Sequence, residues 1–151
     1  MTAKVWKPNV TVAAIVEREG RFLLVDEETD EGLKLNQPAG HLEANESLVE
    51  GAAREALEET AYEFSPEYLV GVYRWRHSDR NVTYLRFAFA GNLGAHHPER
   101  ALDTGIVRAL WLTAAEVHAS RSRHRSPLVI CCMEDYRRGA RAPLDVLVHL
   151  D

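Results

Sequence analysis

The sequence predicts an α/β protein, one domain over residues 1–151 with a mixed sheet and helices on its faces. Three observations carry that reading. Runs rich in β-branched and aromatic residues come in adjacent pairs split by turn residues, as antiparallel hairpins require. Capping boxes at Ser47 with Glu50 and at Thr113 with Glu116 open helical runs between those pairs. The chain of 151 residues, 46% hydrophobic and 27% charged, is long enough for one real core.

In order along the chain, Met1 to Lys7 reads as a loose leader. Asn9–Val16 and Arg21–Asp26 are strands joined by a turn at Arg18-Glu19-Gly20. Glu27 to Gly32 is acidic and reads as a loop; Leu33, Leu35 and Gln37 alternate with polar residues in a short strand leading to Pro38-Ala39-Gly40. Leu48 to Thr60 is a helix, with Leu48, Val49, Ala52, Ala53, Ala56 and Thr60 on one broad apolar face. Glu63 to Pro66 is read as a connection, Tyr68–His77 and Val82–Leu93 as a hairpin closed by Ser78-Asp79-Arg80-Asn81. A polar stretch from Gly94 to Gly105 precedes a strand at Ile106–Leu112. A short helix to Ala119 and a basic loop, Ser120 to Arg125, follow. Ser126 as N-cap and Pro127 in the first turn open a last helix that ends near Gly139, and Pro143 to His149 is read as adding a short strand.

Bulk properties narrow the function. A net charge of −5 argues against nonspecific nucleic-acid binding, which needs a basic face. The chain has neither an apolar run near 18 residues nor a signal-peptide core, so a cytoplasmic location without membrane contact is expected. Adjacent Cys131 and Cys132 are expected to be buried free thiols on a helix.

The most informative stretch runs from Gly40 to Tyr62. Within its helix, Glu55, Glu58 and Glu59 share an arc away from the apolar face. Like charges at that spacing repel, and a helix built only for solubility would interleave lysines. Hard divalent cations want converging carboxylate oxygens, so the arc reads as a Mg²⁺ site, with Mn²⁺ possible, rather than as a solvated face.

Gly40, Glu46 and the run Arg54-Glu55-Ala56-Leu57-Glu58-Glu59, at these offsets, resemble the signature of the Nudix hydrolases. The resemblance implies an α/β/α sandwich with the mixed sheet between helices, and hydrolysis of diphosphate linkages in nucleoside phosphates and related compounds. It implies metal binding by Glu55, Glu58 and Glu59, with help from the Ala39 carbonyl, and a pairing of Glu46 with Arg54 that orients Glu55. Ala61 stands where the family has a helix-ending glycine. Alanine tolerates that left-handed position poorly, so an altered helix end is expected. Gly51 either makes room for the Gly40 loop or is simply tolerated.

Metal-activated water would attack phosphorus. Its general base stays open among Glu55, Glu58, Glu99 and Asp103. Candidate substrate contacts are His41 beside the motif glycine, Trp75, Arg86 and Ser126. Tyr73 and Trp75 share one strand face; Phe87 and Phe89, opposite Arg86, are expected in the core.

The run Asn36-Gln37-Pro38-Ala39-Gly40-His41-Leu42-Glu43, with Leu85-Arg86-Phe87 and Arg125-Ser126-Pro127-Leu128, is similar to one phosphatase branch of the family. That branch removes phosphate from nucleoside tri- and diphosphates, from hydroxymethylpyrimidine diphosphate and from thiamine diphosphate. The alternatives are a Nudix pyrophosphohydrolase for ADP-ribose or a non-standard nucleoside triphosphate, and a silent nucleotide-sensing domain. The expected partner is a small nucleotide or pyrimidine diphosphate, and the protein is a monomer or homodimer.

Overall fold

The computed structural model describes residues 3–151; the first two residues of the expected leader lie outside them, and 3–8 form no helix or strand. One mixed sheet organises the molecule. It is built from β1 (Asn9–Ile15), β5 (Ala39–His41), β6 (Tyr62–His77), β7 (Val82–His96) and β9 (Ala142–Pro143), in the order β5-β1-β7-β6-β9. β1 and β7 run parallel, whereas β1–β5, β6–β7 and β6–β9 are antiparallel. A second, antiparallel sheet joins β2 (Glu17–Arg18), β4 (Gly32–Asn36) and β8 (Ile106–Thr113) around β3 (Arg21–Thr29).

The helices α1 (Leu48–Thr60) and α3 (Leu128–Arg137) cover opposite faces of the mixed sheet, and α2 (Ala114–Ala119) follows β8. Strand alternation decides which side chain meets which helix. Val12, Ala14, Phe89 and Leu69 pack with Ala52 and Ala56 of α1. Ala13, Ile15, Ala88 and Ala90 pack with Val129, Cys132 and Met133 of α3. Phe87 is half-buried on the α1 side, and Phe89 is fully buried. Burying a side chain of the latter size stabilises the fold by about 1.5–3 kcal/mol. The result is an α/β/α sandwich.

Both capping boxes form, each with hydroxyl and carboxylate accepting from the backbone of the first turn. Several expectations need correction. Glu27 to Thr29 continue β3 instead of forming a loop, because Lys34, Leu33 and Gly32 pair with them across the hairpin. Glu63 to Pro66 belong to β6, which absorbs its excess residues in register shifts against β7. The tail makes only the two-residue β9 and then a short 3-10 helix at Leu144–Val146. Ala61 does adopt the left-handed conformation (φ 62°), and its N–H donates to the Leu57 carbonyl, so the helix ends without alteration. Cys131 is exposed and only Cys132 is buried. α3 begins at Leu128 with Pro127 as its N-cap; Ser126 lies one residue earlier, its Oγ accepting from the Leu128 N–H at 3.1 Å.

Candidate active site

Edge strand β5 is only three residues long, and its alternation divides the site into two halves. Gly40 lies opposite Val12 and faces α1, whereas Ala39 and His41 lie opposite Ala13 and Thr11 and face the other way. On the α1 side are the glutamates. A β-carbon at position 40 would stand 2.2 Å from Glu55 Oε1, so the carboxylate occupies space that only glycine leaves open. At Gly51 a β-carbon would meet Glu46 Oε1 at 3.0 Å and Leu42 Cδ1 at 3.3 Å. The helix therefore does make room there for the segment that follows Gly40.

Arg54 holds the acids together. Its Nε and Nη2 donate to the two oxygens of Glu46 at 2.8 and 2.7 Å, and Nη1 donates to Glu55 and Glu58 at 2.9 and 2.8 Å. Nη2 also donates to the His41 carbonyl at 3.0 Å, which ties the end of β5 to the helix. Glu46 has its pKa lowered by this hydrogen bonding. Burial outweighs Arg54 at Glu55 and raises its pKa. Glu59 is buried with no cation beside it among the described residues; desolvation pushes its pKa up to about 9, against an N–H from Ala39 at 2.9 Å.

Hard oxygen donors and undercompensated buried charge suit a hard divalent cation in kind. The arrangement itself is less convergent than expected. Among the described residues no three His, Cys, Asp or Glu side chains group closely enough to hold one ion. Arg54 stands between Glu55 and Glu58, and the contact that joins Ala39 to Glu59 is its N–H.

Two further acids come from distant segments. The loop between β7 and β8 is pinned to the end of α1 by His97 N–H to the Ala61 carbonyl and Asp103 N–H to the Glu58 carbonyl, both 2.8 Å. Asp103 is close enough to raise the pKa of Glu55 and of Glu59. Glu99 is exposed and faces His97 instead, at 3.8 Å. Glu27, at the end of β3, also raises Glu59 and was hidden in sequence by its acidic neighbours.

On the other side of β5 is a cavity of about 160 Å³. His41, Trp75, Arg86 and Ser126 all line it, together with Asn36 and Glu27. Trp75 lies opposite Tyr84 in register, and their rings stack at 5.7 Å and 16°. Ion pairs stand at the rim: Arg125 with Glu27 at 2.9 Å, and Arg80 with Asp30 at 2.9 Å. Tyr73 is drawn away from the cavity, donating its hydroxyl to Asp135 at 2.7 Å. The segment carrying Arg125 and Ser126 is anchored through Asp26, a fully buried carboxylate that accepts from Arg108 at 2.7 Å and Arg123 at 2.6 Å. Nothing in the local sequence marks Asp26, since its partners lie 82 and 97 residues away.

The described helices include none long and apolar enough to cross a membrane. Comparison with known proteins agrees with the fold. The NUDIX domain pattern matches residues 6–130. The chain is 42% identical over 142 residues to Phosphatase NudJ of Escherichia coli strain K12, covering 94% of this chain and 92% of that protein. A NUDIX hydrolase structure from Nitrosomonas europaea superposes with a TM-score of 0.93 at 50% identity, covering 95% of this chain and 98% of that one. A MutT NUDIX hydrolase from Burkholderia pseudomallei shares the fold, with a TM-score of 0.73 at 16% identity and coverage of 86% and 98%.

Proposed function

The chain belongs to the Nudix family and is a NudJ-like hydrolase of phosphoric anhydride bonds; from that premise we propose that it is a Mg²⁺-dependent phosphatase of nucleoside tri- and diphosphates and of thiamine-pathway diphosphates. Nudix hydrolases generally use divalent metals and act on small nucleotide substrates. The observation that supports the finer reading is the division at β5, with carboxylates on the Gly40 side and a ring-sized, cation-bearing cavity on the Ala39 and His41 side. A nucleotide lying across this edge places its ring in the cavity and its phosphates over α1.

In this reading Glu55, Glu58 and Glu59 would hold the metal, Mg²⁺ or Mn²⁺, which would neutralise the phosphates and acidify a water. Arg54 keeps Glu55 and Glu58 in one place and is itself oriented by both oxygens of Glu46. The proton from the attacking water would pass to Glu55 or, alternatively, to Asp103. Trp75 and Tyr84 give the ring a flat surface, and Ser126 and Arg125 line the same cavity.

Product analysis tests the proposal. Nucleoside tri- and diphosphates, thiamine diphosphate and hydroxymethylpyrimidine diphosphate are incubated with the protein and Mg²⁺, and orthophosphate is scored against pyrophosphate and nucleoside monophosphate. Orthophosphate as first product is expected. Monophosphate with pyrophosphate from a triphosphate would establish the pyrophosphohydrolase reading instead, and no turnover with either Mg²⁺ or Mn²⁺ would sink the phosphatase proposal.

A further inference from the structure

Arg86 is a buried cation with no anion beside it. It is 5% exposed, yet among the described residues no carboxylate lies within ion-pair distance. Nη1 donates to Gln37 Oε1 at 2.9 Å and Nη2 to Asn36 Oδ1 at 3.1 Å, both neutral amide oxygens, and Nε has no acceptor. A buried guanidinium held in this way is undercompensated.

Its partners reinforce the pattern. Gln37 is spent: Oε1 accepts from Arg86 and Nε2 donates to the Val129 carbonyl at 2.8 Å. Asn36 gives its oxygen to Arg86, so its amide nitrogen is what remains for the cavity it lines. Ser126 Oγ already accepts from the Leu128 N–H, so its own proton is free to donate. Arg86 and Asn36 thus leave N–H donors at this end of the cavity, and the Ser126 hydroxyl beside them can donate or accept. The charged rim residues Arg125 and Arg80, in contrast, are neutralised by Glu27 and Asp30.

We propose that Arg86 and Asn36, beside the Ser126 hydroxyl, form a donor-rich floor that selects substrates whose heterocycle presents a carbonyl there, favouring oxo bases over amino bases. The proposal rests on the reading that the phosphates lie over α1, which sends the opposite end of the substrate into the cavity. Within the substrate range proposed above it ranks the classes: uracil, guanine and hypoxanthine nucleotides come ahead of cytosine and adenine nucleotides and of the aminopyrimidine diphosphates. An exocyclic amino group would set N–H against N–H, leaving donors on both sides unpaired in a buried place.

Matched pairs that differ by oxygen for amino test this. UTP against CTP and ITP against ATP give kcat/KM ratios, and UMP against CMP gives Kd ratios by tryptophan fluorescence without metal. The wild type should favour the oxo member about tenfold or more, as expected where a site is built to pair with the group that distinguishes them. Asn36→Asp supplies Arg86 with the missing carboxylate and replaces a cavity donor with an acceptor. Its melting temperature should not fall, and its preference should move about tenfold toward the amino bases. Arg86→Lys, which keeps the charge while losing the fork, should shrink the ratio.

Equal wild-type ratios, or ratios unmoved by both substitutions, would overturn the proposal. Orthophosphate displacing UMP from the wild type but not from Arg86→Lys would overturn it too, by placing phosphate on the floor. If UMP binds tighter than CMP while no triphosphate is hydrolysed, the floor stands and the phosphatase reading fails.

Discussion

Glu55 and Gly40 share one volume: a β-carbon added at position 40 would lie 2.2 Å from Glu55 Oε1 and 2.4 Å from its Cδ. The carboxylate is buried and tied to Arg54, so it has little freedom to retreat. Gly40→Ala should therefore displace Glu55 or β5 with only modest overpacking, about 1–3 kcal/mol of lost stability. Turnover should fall much further, about 100-fold, because a misplacement near 1 Å at reacting groups has that effect. Chemical denaturation and steady-state kinetics on the same preparation separate the two. Activity within a factor of two of wild type would show that the position of Glu55 is immaterial.

Arg54 is the cation among four carboxylates, Glu43 at 3.5 Å being the outermost. Arg54→Gln leaves Glu46 and Glu55 without their counter-charge. We expect the metal-free protein to lose about 2–3 kcal/mol, less than the 3–5 kcal/mol of a fully buried pair because the site is partly open to water. Saturating Mg²⁺ should recover part of the deficit by supplying positive charge to the same acids. Thermal melts with and without Mg²⁺ check this; an equal deficit in both would separate the metal from this cluster.

The helix that carries these acids was readable from Ser47 and Glu50 to Thr60 because its determinants are local: a capping box, an apolar stripe and a glutamate arc. What lay beyond local reach was set by packing. Glu55 and Glu59 sit on the polar arc of the sequence yet are buried, because β5 and the loop bearing Asp103 close over them. Glu27 looked like loop because strand propensity was masked by Asp26, Glu28, Glu31 and itself; pairing with Lys34 and Arg125 makes the acidic strand possible. The isolation of Arg86 could not be foreseen, since its amide partners lie 49 and 50 residues away and the decisive fact is the missing carboxylate. His41, Trp75, Arg86 and Ser126 stand far apart in the sequence, and the fold brings all of them to one cavity.

Glu58 is the most exposed of the three glutamates on the motif arc, its side chain 28% accessible against 8% for Glu55, and its partner is Arg54 at 2.8 Å. Glu58→Gln keeps that hydrogen bond to the amide oxygen and removes the charge. Stability should stay within about 0.5 kcal/mol, as for a partly exposed pair. The rate at saturating Mg²⁺ should drop roughly 100-fold or more, the loss expected when a charged group that serves the reacting centre is removed. A wild-type rate in this variant would take Glu58 out of the mechanism.

His124 makes the wall of the cavity sensitive to acid. It lies in the segment that presents Arg125 and Ser126, bridges to Leu35 of β4, and has Ser120 Oγ at 3.3 Å from its Nε2. Burial first, then the charges of Arg121, His118 and Arg123, lower its pKa below 6.5, against a ring hydrogen bond donated to the Val117 backbone, which acts the other way. The folded chain thus binds a proton there less readily than the unfolded chain does. The stability from this group is complete above about pH 6.5 and is lost as pH falls from there through the folded pKa. Asp26 holds Arg123 and Glu27 holds Arg125, so a charged His124 would strain a segment otherwise anchored by ion pairs. Lowering the pH from 7.5 to 5.5 should therefore reduce the melting temperature and raise KM more in the wild type than in His124→Gln, which stays neutral throughout. The other six histidines are present in both proteins, so the difference isolates His124. Parallel melting and KM profiles for the two would show that the imidazole takes no part in the acid response.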